Sequence, residues 1–389
     1  MRATGWPSTV GRVSLGERLA SRANALNAVR LCLALVVVVS HAPAMAGLGS
    51  MPSVVGVPLG SWAVGAFFCI SGYLIPTSRV RHSAARYVLL RAARIYPGLW
   101  ACLAVTAFIF GPAAAALTHR VYSPVVAAGY VWRNATTVIG QDGIGDTLVA
   151  AHTNAWNGSL WTLMWEVGCY ILAGSLLSVP LLRRHQAGTA AALFVFSAVG
   201  MAAGNRLYAV WFLSCFSAGW LVSNLAHRIR ASWGLAAASA GVTGILAQVP
   251  RAPYALPLAV TVLSIGALAP VRLGQRNDVS YGVYIYGWPA QQVLTLAGLP
   301  ALGLTVYLAA SLVAGAALGT LSWFLVERHF LPRRQNRQQS QSGASPESDL
   351  PPSGSEPSFL CSASCSASPS PASPASHTLG SAFPSGSTW

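Results

Sequence analysis

Three ionisable side chains lie inside segments that are otherwise apolar: Arg30, His41 and Glu166. Ionisable groups are costly in such surroundings, so each one is a candidate for function. Histidine is the side chain best suited to general-base catalysis near neutral pH. Arginine suits a phosphate or carboxylate partner. These residue types therefore favour proton transfer together with recognition of an anion.

Arg30 and His41 lie eleven residues apart in the first apolar segment. At 100° per residue, eleven residues make about three full turns, so both side chains project from one helix face, roughly 16 Å apart along the axis. The spacing predicts a helix with a cation near its cytoplasmic end and an imidazole near its outer end. A second interpretation stays open, in which Arg30 is a positive anchor and His41 is a polar cap at the helix end.

Glu166 ends the stretch NGSLWTLMWE, which begins at Asn157. Ser159, Thr162 and Glu166 follow an i, i+3, i+7 pattern, which predicts one polar stripe facing the interior of a helix bundle. At about 1.5 Å per residue, Glu166 lies about 10 Å below the outer edge, a depth that allows a contact with His41. The alternative is a protonated, hydrogen-bonded structural glutamate.

Five arginines fall within the sixteen residues from Arg79 to Arg94. Guanidinium groups pair well with phosphates, so the cluster is a candidate site for a polyanionic cofactor such as coenzyme A. Membrane topology alone is the competing explanation. Near the end of the chain, Glu327 is followed by Arg328, which predicts an ion pair at a helix end.

The composition shows what kind of protein must position these residues. Apolar residues make up 54% of the chain and charged residues 8%, with a mean hydropathy of +0.53. A soluble domain carries about 25% charged residues. The composition therefore excludes an ordinary cytosolic enzyme, a nucleic-acid-binding module and a disordered chain, and predicts a multi-pass membrane protein.

Ten apolar segments are long enough to cross a hydrocarbon core about 30 Å thick. All 24 basic residues are arginine, and 20 of them fall on one side if the N-terminus is cytoplasmic. This bias predicts an all-α bundle of ten transmembrane helices with both termini in the cytoplasm. The predicted segments are 25–46, 60–78, 96–117, 158–180, 188–204, 206–224, 233–249, 254–271, 279–299 and 302–326.

The segments define three regions. Residues 1–24 are polar and basic, so we expect a cytoplasmic segment and no cleavable signal peptide. Residues 25–330 form the transmembrane domain, with an extracytoplasmic loop at 118–157 that is long enough to cover a substrate entrance. Residues 331–389 form a cytoplasmic tail, predicted to be disordered because residues 341–389 contain 16 Ser and 8 Pro. No Cys, His or acidic residues have metal-ligand spacing, so we expect no metal.

Six stretches occur in an order that resembles the membrane-bound acyltransferase 3 family, whose members O-acylate sugars and some natural products. The resemblance covers about residues 25–330. The stretches are LNAVRLCLALVVVVSHA, WAVGAFFCISGYLI, RYVLLRAARIYPGLW, NGSLWTLMWE, SYGVYIYGWP and SWFLVE.

The resemblance implies roles for the candidate residues. His41 matches the essential histidine of the family and Arg30 its paired arginine. Arg91 and Arg94 match the basic stretch before the third span, and Glu166 matches the acid of the SLWTL segment. The donor it implies is acyl-CoA, acetyl-CoA by default, and the acceptor is a hydroxyl group.

Two positions depart from the family pattern. Family members often carry an acidic residue just before the paired Phe of the second span, where this chain has Gly65. Many also carry a histidine in the motif of the ninth span, where this chain has Gly287. A role that depends on either group is therefore unsupported in this chain.

These features together predict a membrane O-acyltransferase. We expect acyl-CoA to dock from the cytoplasm at Arg30, Arg91 and Arg94. His41, oriented or charge-balanced by Glu166, then removes the proton of an acceptor hydroxyl. The expected acceptor is a surface polysaccharide or its lipid-linked precursor. An acylated natural product such as a macrolide sugar, or a transporter without enzymatic activity, remains an alternative. The absence of lysine suggests a GC-rich bacterial gene, so we expect the bacterial cytoplasmic membrane, with lipid and no nucleic acid as partners.

Overall fold

The computed structural model describes residues 13–21, 24–204, 207–271, 273–274 and 277–331. Helices account for 73% of these residues, which confirms the prediction of a mostly helical chain. Apart from Leu331, the predicted disordered tail lies outside the described residues. Most of the predicted cytoplasmic segment 1–24 also lies outside them.

Each of the ten predicted segments contains a helix. The α-helices are α1 Leu15–Ala20, α2 Leu26–Met45, α3 Leu59–Arg81, α4 Ala84–Val105, α5 Gly111–Thr118, α6 Pro124–Arg133, α7 Trp161–Leu176, α8 Pro180–Arg184, α9 Gln186–Ala202, α10 Tyr208–Leu225, α11 Trp233–Gln248, α12 Ala255–Leu268, α13 Ser280–Leu296, α14 Leu304–Ser322 and α15 Arg328–Phe330. A π-helical turn, Thr106–Phe110, joins α4 to α5, and a second, Trp323–Glu327, joins α14 to α15.

Five helices are both long and apolar enough to cross a membrane: Leu26–Met45, Leu59–Arg81, Ala84–Thr118, Tyr208–Leu225 and Leu304–Phe330. The helices Gln186–Ala202 and Ala255–Leu268 are apolar but shorter. The chain is thus a multi-pass membrane protein. Ten crossings and two cytoplasmic termini stay predictions.

A hairpin and a helix inside the loop 118–157 are among the elements that were not predicted from the sequence. Strand β1, Ser53–Val54, pairs in antiparallel register with β2, Val57–Pro58, just before α3 begins. The turn between them places Val55 and Gly56 at positive φ, and glycine adopts that conformation without strain. The second element is α6, which lies inside the loop 118–157. Both are too short to show a hydrophobic period in the sequence.

Glycines set the closest helix contacts in the bundle. A Cβ on Gly72 of α3 would overlap the carbonyl oxygen of Phe216, and a Cβ on Gly219 of α10 would overlap that of Cys69. The contact is reciprocal, so the α3 and α10 backbones approach as closely as two helices can. On α13, a Cβ on Gly282 would lie 2.6 Å from the carbonyl oxygen of Gly319 on α14. Packing of small residues therefore sets the positions of α3 and α13.

We expect Gly72→Ala to destabilise the bundle by roughly 1–3 kcal/mol, because the added methyl group has no space and forces α3 away from α10. The measurement is thermal unfolding of the detergent-solubilised protein. Gly241→Ala is the control, because no atom lies within 4 Å of a Cβ at that position on α11. Equal unfolding temperatures for the two variants would contradict the proposed packing.

Candidate active site

His41 lies in the penultimate turn of α2, where its half-buried ring contacts Trp288 edge to face, with 4.8 Å between the ring centroids. The neighbouring Ser40 hydroxyl accepts a hydrogen bond of 2.8 Å from the backbone N–H of Gly60, which ties α2 to the start of α3. Within the described part of the chain, the imidazole of His41 forms no hydrogen bond or ion pair. Its nitrogens are therefore available to a substrate.

The loop 118–157 is anchored on α13 beside this histidine. The indole N–H of Trp288 donates to the carbonyl oxygen of Ala155 at 3.0 Å. Gln292, one turn further along α13, donates to the same oxygen at 2.7 Å and to the hydroxyl of Thr153 at 2.6 Å. Trp156 is fully buried within the loop. The loop thus holds the aromatic ring against which the imidazole packs.

Glu166 lies on α7 and is half-buried, and its carboxylate accepts hydrogen bonds from two hydroxyl groups. Ser71 donates to Oε1 at 3.1 Å, and the Tyr170 hydroxyl donates to the same atom. Glu166 and Arg30 line a narrow cavity of about 40 Å³. No hydrogen bond joins Glu166 to His41 among the described residues.

The structure thus places Glu166 near Arg30 rather than near His41. Along α2, His41 lies roughly 16 Å beyond Arg30, from eleven residues at about 1.5 Å each. The expected carboxylate–imidazole pair is therefore not formed. Spacing along α7 gives the depth of Glu166 on that helix but not the offset of α7 relative to α2, which depends on how both helices pack on α3.

Helix α13 connects the two locations through Tyr284 and Trp288, which lie four residues apart on one face. Tyr284 lines the cavity that contains Glu166, and Trp288 contacts His41. The Tyr284 hydroxyl lies 2.5 Å from the Thr162 hydroxyl and donates to the Ser159 carbonyl oxygen at 3.0 Å. The polar stripe predicted on α7 therefore packs against the aromatic motif of α13.

Arg30 and Arg94 share one carboxylate, that of Asp278 in the loop before α13. The distances to Oδ2 are 2.7 Å from Nη1 of Arg30 and 2.8 Å from Nη2 of Arg94. Nη1 of Arg94 also lies 3.5 Å from Oε2 of Glu327, and Oε1 of Glu327 accepts a hydrogen bond of 3.0 Å from the Ser322 hydroxyl. Two arginines and two acids thus form one connected cluster of ion pairs.

The sequence interpretation missed this cluster. Glu327 pairs with Arg94 and not, as expected, with Arg328, whose guanidinium lies over the ring of Phe324 at 5.2 Å. Asp278 lies outside the predicted apolar segments, so its position in the sequence does not indicate that it pairs with Arg30 and Arg94. The scarcity of acids was the available signal, since only six precede the tail and two of these form the cluster.

Arg91 differs from Arg30 and Arg94 because it has no acidic partner among the described residues. Its guanidinium lies 6.0 Å from the centre of the Tyr170 ring, and its Nε is buried without a hydrogen-bond partner. Arg91 and Tyr170 line an open, largely apolar cavity of about 380 Å³ between α4 and α7. Arg79 also lines it, with its guanidinium donating to Ser178 at 2.9 Å.

Neighbouring side chains occupy the space at the two glycines that depart from the family pattern. A Cβ on Gly65 would lie 2.9 Å from the indole of Trp211, and one on Gly287 would lie 2.6 Å from Cγ2 of Val38. A larger side chain at either position would displace these neighbours.

In the described residues, no group of three or more His, Cys, Asp or Glu side chains could hold a metal ion.

A family model described as an acyltransferase domain matches residues 23–326. The chain belongs to the acyltransferase 3 family. The match spans nearly all of the described helices and includes every candidate residue. The protein is therefore a transferase enzyme.

Two relatives of this acyltransferase carry functional names. An O-acetyl transferase of Shigella phage Sf6 is 31% identical over 335 residues, which cover 80% of this chain and 97% of the relative. Nodulation protein 10 of Rhizobium leguminosarum bv. viciae is 27% identical over 370 residues, which cover 80% of this chain and 94% of the relative. No solved structure matches the chain.

We expect Asp278→Asn to destabilise the acyltransferase by about 3–5 kcal/mol, because it leaves Arg30 without its carboxylate and Arg94 with only Glu327. Burial by itself raises the pKa of Asp278, but Arg30, Arg94 and hydrogen bonds from Ser280 outweigh it and lower the pKa to about 2. The stabilisation is therefore present above the unfolded pKa of 3.8 and is lost as pH falls towards 2.

The measurement is the unfolding temperature of the wild type and Asp278→Asn in detergent from pH 8 to pH 3. The difference should stay constant above about pH 5 and shrink below pH 4. Asp146→Asn, at an exposed position in the loop 118–157, is the matched control and should leave stability unchanged. A difference that does not depend on pH would argue against an ionised Asp278.

Proposed function

We propose that this acyltransferase moves an acyl group, acetyl by default, from acyl-CoA to a hydroxyl of a carbohydrate, in the bacterial cytoplasmic membrane. The acceptor is a surface polysaccharide or its lipid-linked precursor. The observation that carries the proposal is the half-buried His41, which has no hydrogen-bond partner in the described residues and lies within the domain that matches the family. The relative named O-acetyl transferase supports acetyl as the group transferred.

The donor binds at the cavity between α4 and α7. Its phosphates pair with Arg91, whose guanidinium has no carboxylate partner among the described residues and borders a volume of about 380 Å³. The apolar walls of the cavity suit the pantetheine arm and the acyl chain. Arg30 and Arg94 act differently, because both are already ion-paired with Asp278. They hold α2 and α4 against α13 and so shape the donor site without binding phosphate directly.

The acyl group reaches His41 along α13. Tyr170 borders the donor cavity and donates a hydrogen bond to Glu166, which lines the narrow inner cavity with Tyr284. One turn beyond Tyr284, Trp288 contacts His41. The inner cavity, at about 40 Å³, holds only a few waters, so the surrounding side chains must move when the donor enters. Glu166 therefore acts on the donor path, by holding Tyr170, rather than on the imidazole.

The chemistry at His41 is a direct transfer. The imidazole accepts the proton of the acceptor hydroxyl while the hydroxyl oxygen attacks the thioester carbonyl carbon. The tetrahedral intermediate collapses, the carbon–sulfur bond breaks, and the departing thiolate takes the proton from the imidazolium. The products are an ester and free coenzyme A, and His41 returns to its neutral form. General-base catalysis of this kind contributes about 10²–10⁴ in rate.

We expect His41→Gln to lower the rate of acyl transfer by about 10²–10⁴, because glutamine cannot accept the proton. The measurement is release of coenzyme A thiol in membranes, together with mass spectrometry of the surface glycans. His227→Ala, at an exposed position after α10, is the control and should keep full activity. A folded, membrane-inserted His41→Gln protein with wild-type activity would refute the mechanism.

We expect Arg91→Gln to raise the KM for acyl-CoA by about 10-fold or more and to change kcat little, because a charge-assisted hydrogen bond to a phosphate is lost. Arg86→Gln is the matched control, because Arg86 lies on the same helix with an exposed side chain outside the cavity. The measurement is a titration of acyl-CoA at saturating acceptor. A loss of kcat at unchanged KM would argue against donor binding at Arg91.

A further inference from the structure

A second open cavity, of about 550 Å³, lies at the end of the bundle where α2 ends and α3 begins. It is bordered by the β1–β2 hairpin, the first turn of α3 and the ends of α9 to α12. Its lining includes Ser61, Tyr208, Trp211, Arg251 and Tyr254. The family match and the donor path leave this cavity without a role.

The first turn of α3 separates this cavity from His41. A Cβ on Gly60 would lie 3.9 Å from Nε2 of His41, and the next residue, Ser61, lines the cavity. The donor cavity beside Arg91 lies towards the other end of α2, at the level of Arg30. A molecule in the second cavity therefore lies one turn of α3 away from the imidazole, on the side opposite to the donor.

Arg251 places a guanidinium at this cavity without a carboxylate partner among the described residues. Its backbone has a φ of +67°, a conformation that costs an arginine on the order of 1–3 kcal/mol and that persists mainly at functional sites. Gly204 faces the guanidinium, and a Cβ there would lie 3.3 Å from Cζ of Arg251. The turn therefore holds an exposed cation at the mouth of the cavity, without an acidic partner in the described ranges.

Aromatic side chains form the walls of the cavity. Tyr208 packs edge to face on Trp161, with 4.8 Å between the ring centroids, and Tyr254 packs on Trp62 at 5.2 Å. Rings supported in this way offer fixed apolar faces, against which the C–H faces of a sugar ring pack. The hydroxyl groups of Ser61 and Tyr208 can hydrogen-bond to sugar hydroxyls.

We propose that this cavity binds an acidic sugar unit of the acceptor, with a carboxylate paired to Arg251 and the sugar ring against Tyr208 and Trp211. Arginine pairs with carboxylates in a bidentate geometry, which gives both affinity and orientation. The bound unit neighbours the sugar whose hydroxyl reaches His41. That the sugar belongs to the acceptor rests on the proposed function, whereas binding of an acidic sugar in the cavity does not.

The test measures binding to the full chain in lipid nanodiscs without acyl-CoA, by saturation-transfer-difference NMR. The probes are a disaccharide of glucose and glucuronic acid, its neutral glucose–glucose counterpart, and glycerol phosphate as a lipid-headgroup mimic. We expect the acidic disaccharide to bind at least about 10-fold more tightly than the neutral one. Saturation transfer should be strongest at the ring C–H protons, because they face the aromatic walls.

Two variants and a control locate the site. Arg251→Gln should weaken binding of the acidic disaccharide by about 10-fold or more and leave binding of the neutral one unchanged. Tyr208→Ala should weaken binding of both disaccharides. The side chain is 61% exposed, so the position tolerates truncation. Arg120→Gln removes an exposed arginine that does not line the cavity and should change neither.

Three outcomes would overturn the proposal. The wild type could bind the acidic and neutral disaccharides equally, Arg251→Gln could bind the acidic disaccharide as tightly as the wild type, or the protein could bind only glycerol phosphate. The last would make the cavity a site for lipid headgroups. If His41→Gln still binds the acidic disaccharide, the sugar site is intact. If the wild type binds it but shows no acyl transfer, the sugar site is also intact and only the proposed function fails.

Discussion

The pairing of two arginines with two acids inside an apolar bundle is the interaction on which the other features depend. Arg30, Arg94, Asp278 and Glu327 come from α2, α4, the loop before α13 and the end of the π-helical turn after α14. An unpaired charge in such surroundings is expensive, so each member requires the others. Hydrogen bonds from Ser280 and Ser322 occupy further acceptor positions on the two carboxylates. The cluster therefore fixes four separate parts of the chain relative to one another.

The same pairing divides the arginines into two kinds. Arg30 and Arg94 are ion-paired, while the guanidinium of Arg91 lies beside an open cavity with no acidic partner in the part of the chain that the structure describes. Arg91 and Arg94 are three positions apart, so they lie almost one turn apart on α4. A single helix thus supplies one structural cation and one cation available to a ligand.

The bundle also separates two ends with different chemistry. One end has Arg30, Arg91, Arg94 and Glu166, and the other has His41, the anchored loop 118–157 and an aromatic cavity. Close backbone packing at Gly72 and Gly282 leaves little space between the helices that join these ends. The aromatic face of α13 is the continuous feature between them. Such a separation suits an enzyme whose two substrates approach from opposite ends.

Much of this protein could be predicted from the sequence, because hydrophobic periods and charge bias are local properties. The order of the helices follows from them, and the scarcity of ionisable groups identified His41, Glu166 and Arg30. The family motifs, read in order, indicated the acyltransferase domain before any contact was known. The short hairpin at 53–58 and the helix α6 had no such signal, because they are too brief to show a period.

The partners of these groups were decided only by the tertiary structure. The sequence predicted a depth for Glu166 that is compatible with His41, yet the offset between α7 and α2 places Glu166 beside Arg30. No spacing along the chain encodes that offset. Asp278 pairs with Arg30 across 248 residues, and Glu327 with Arg94 across 233. The sequence by itself determined which groups are costly to bury. Helix packing determined which of them meet, because the free energy of a buried charge depends on neighbours that are distant in the chain.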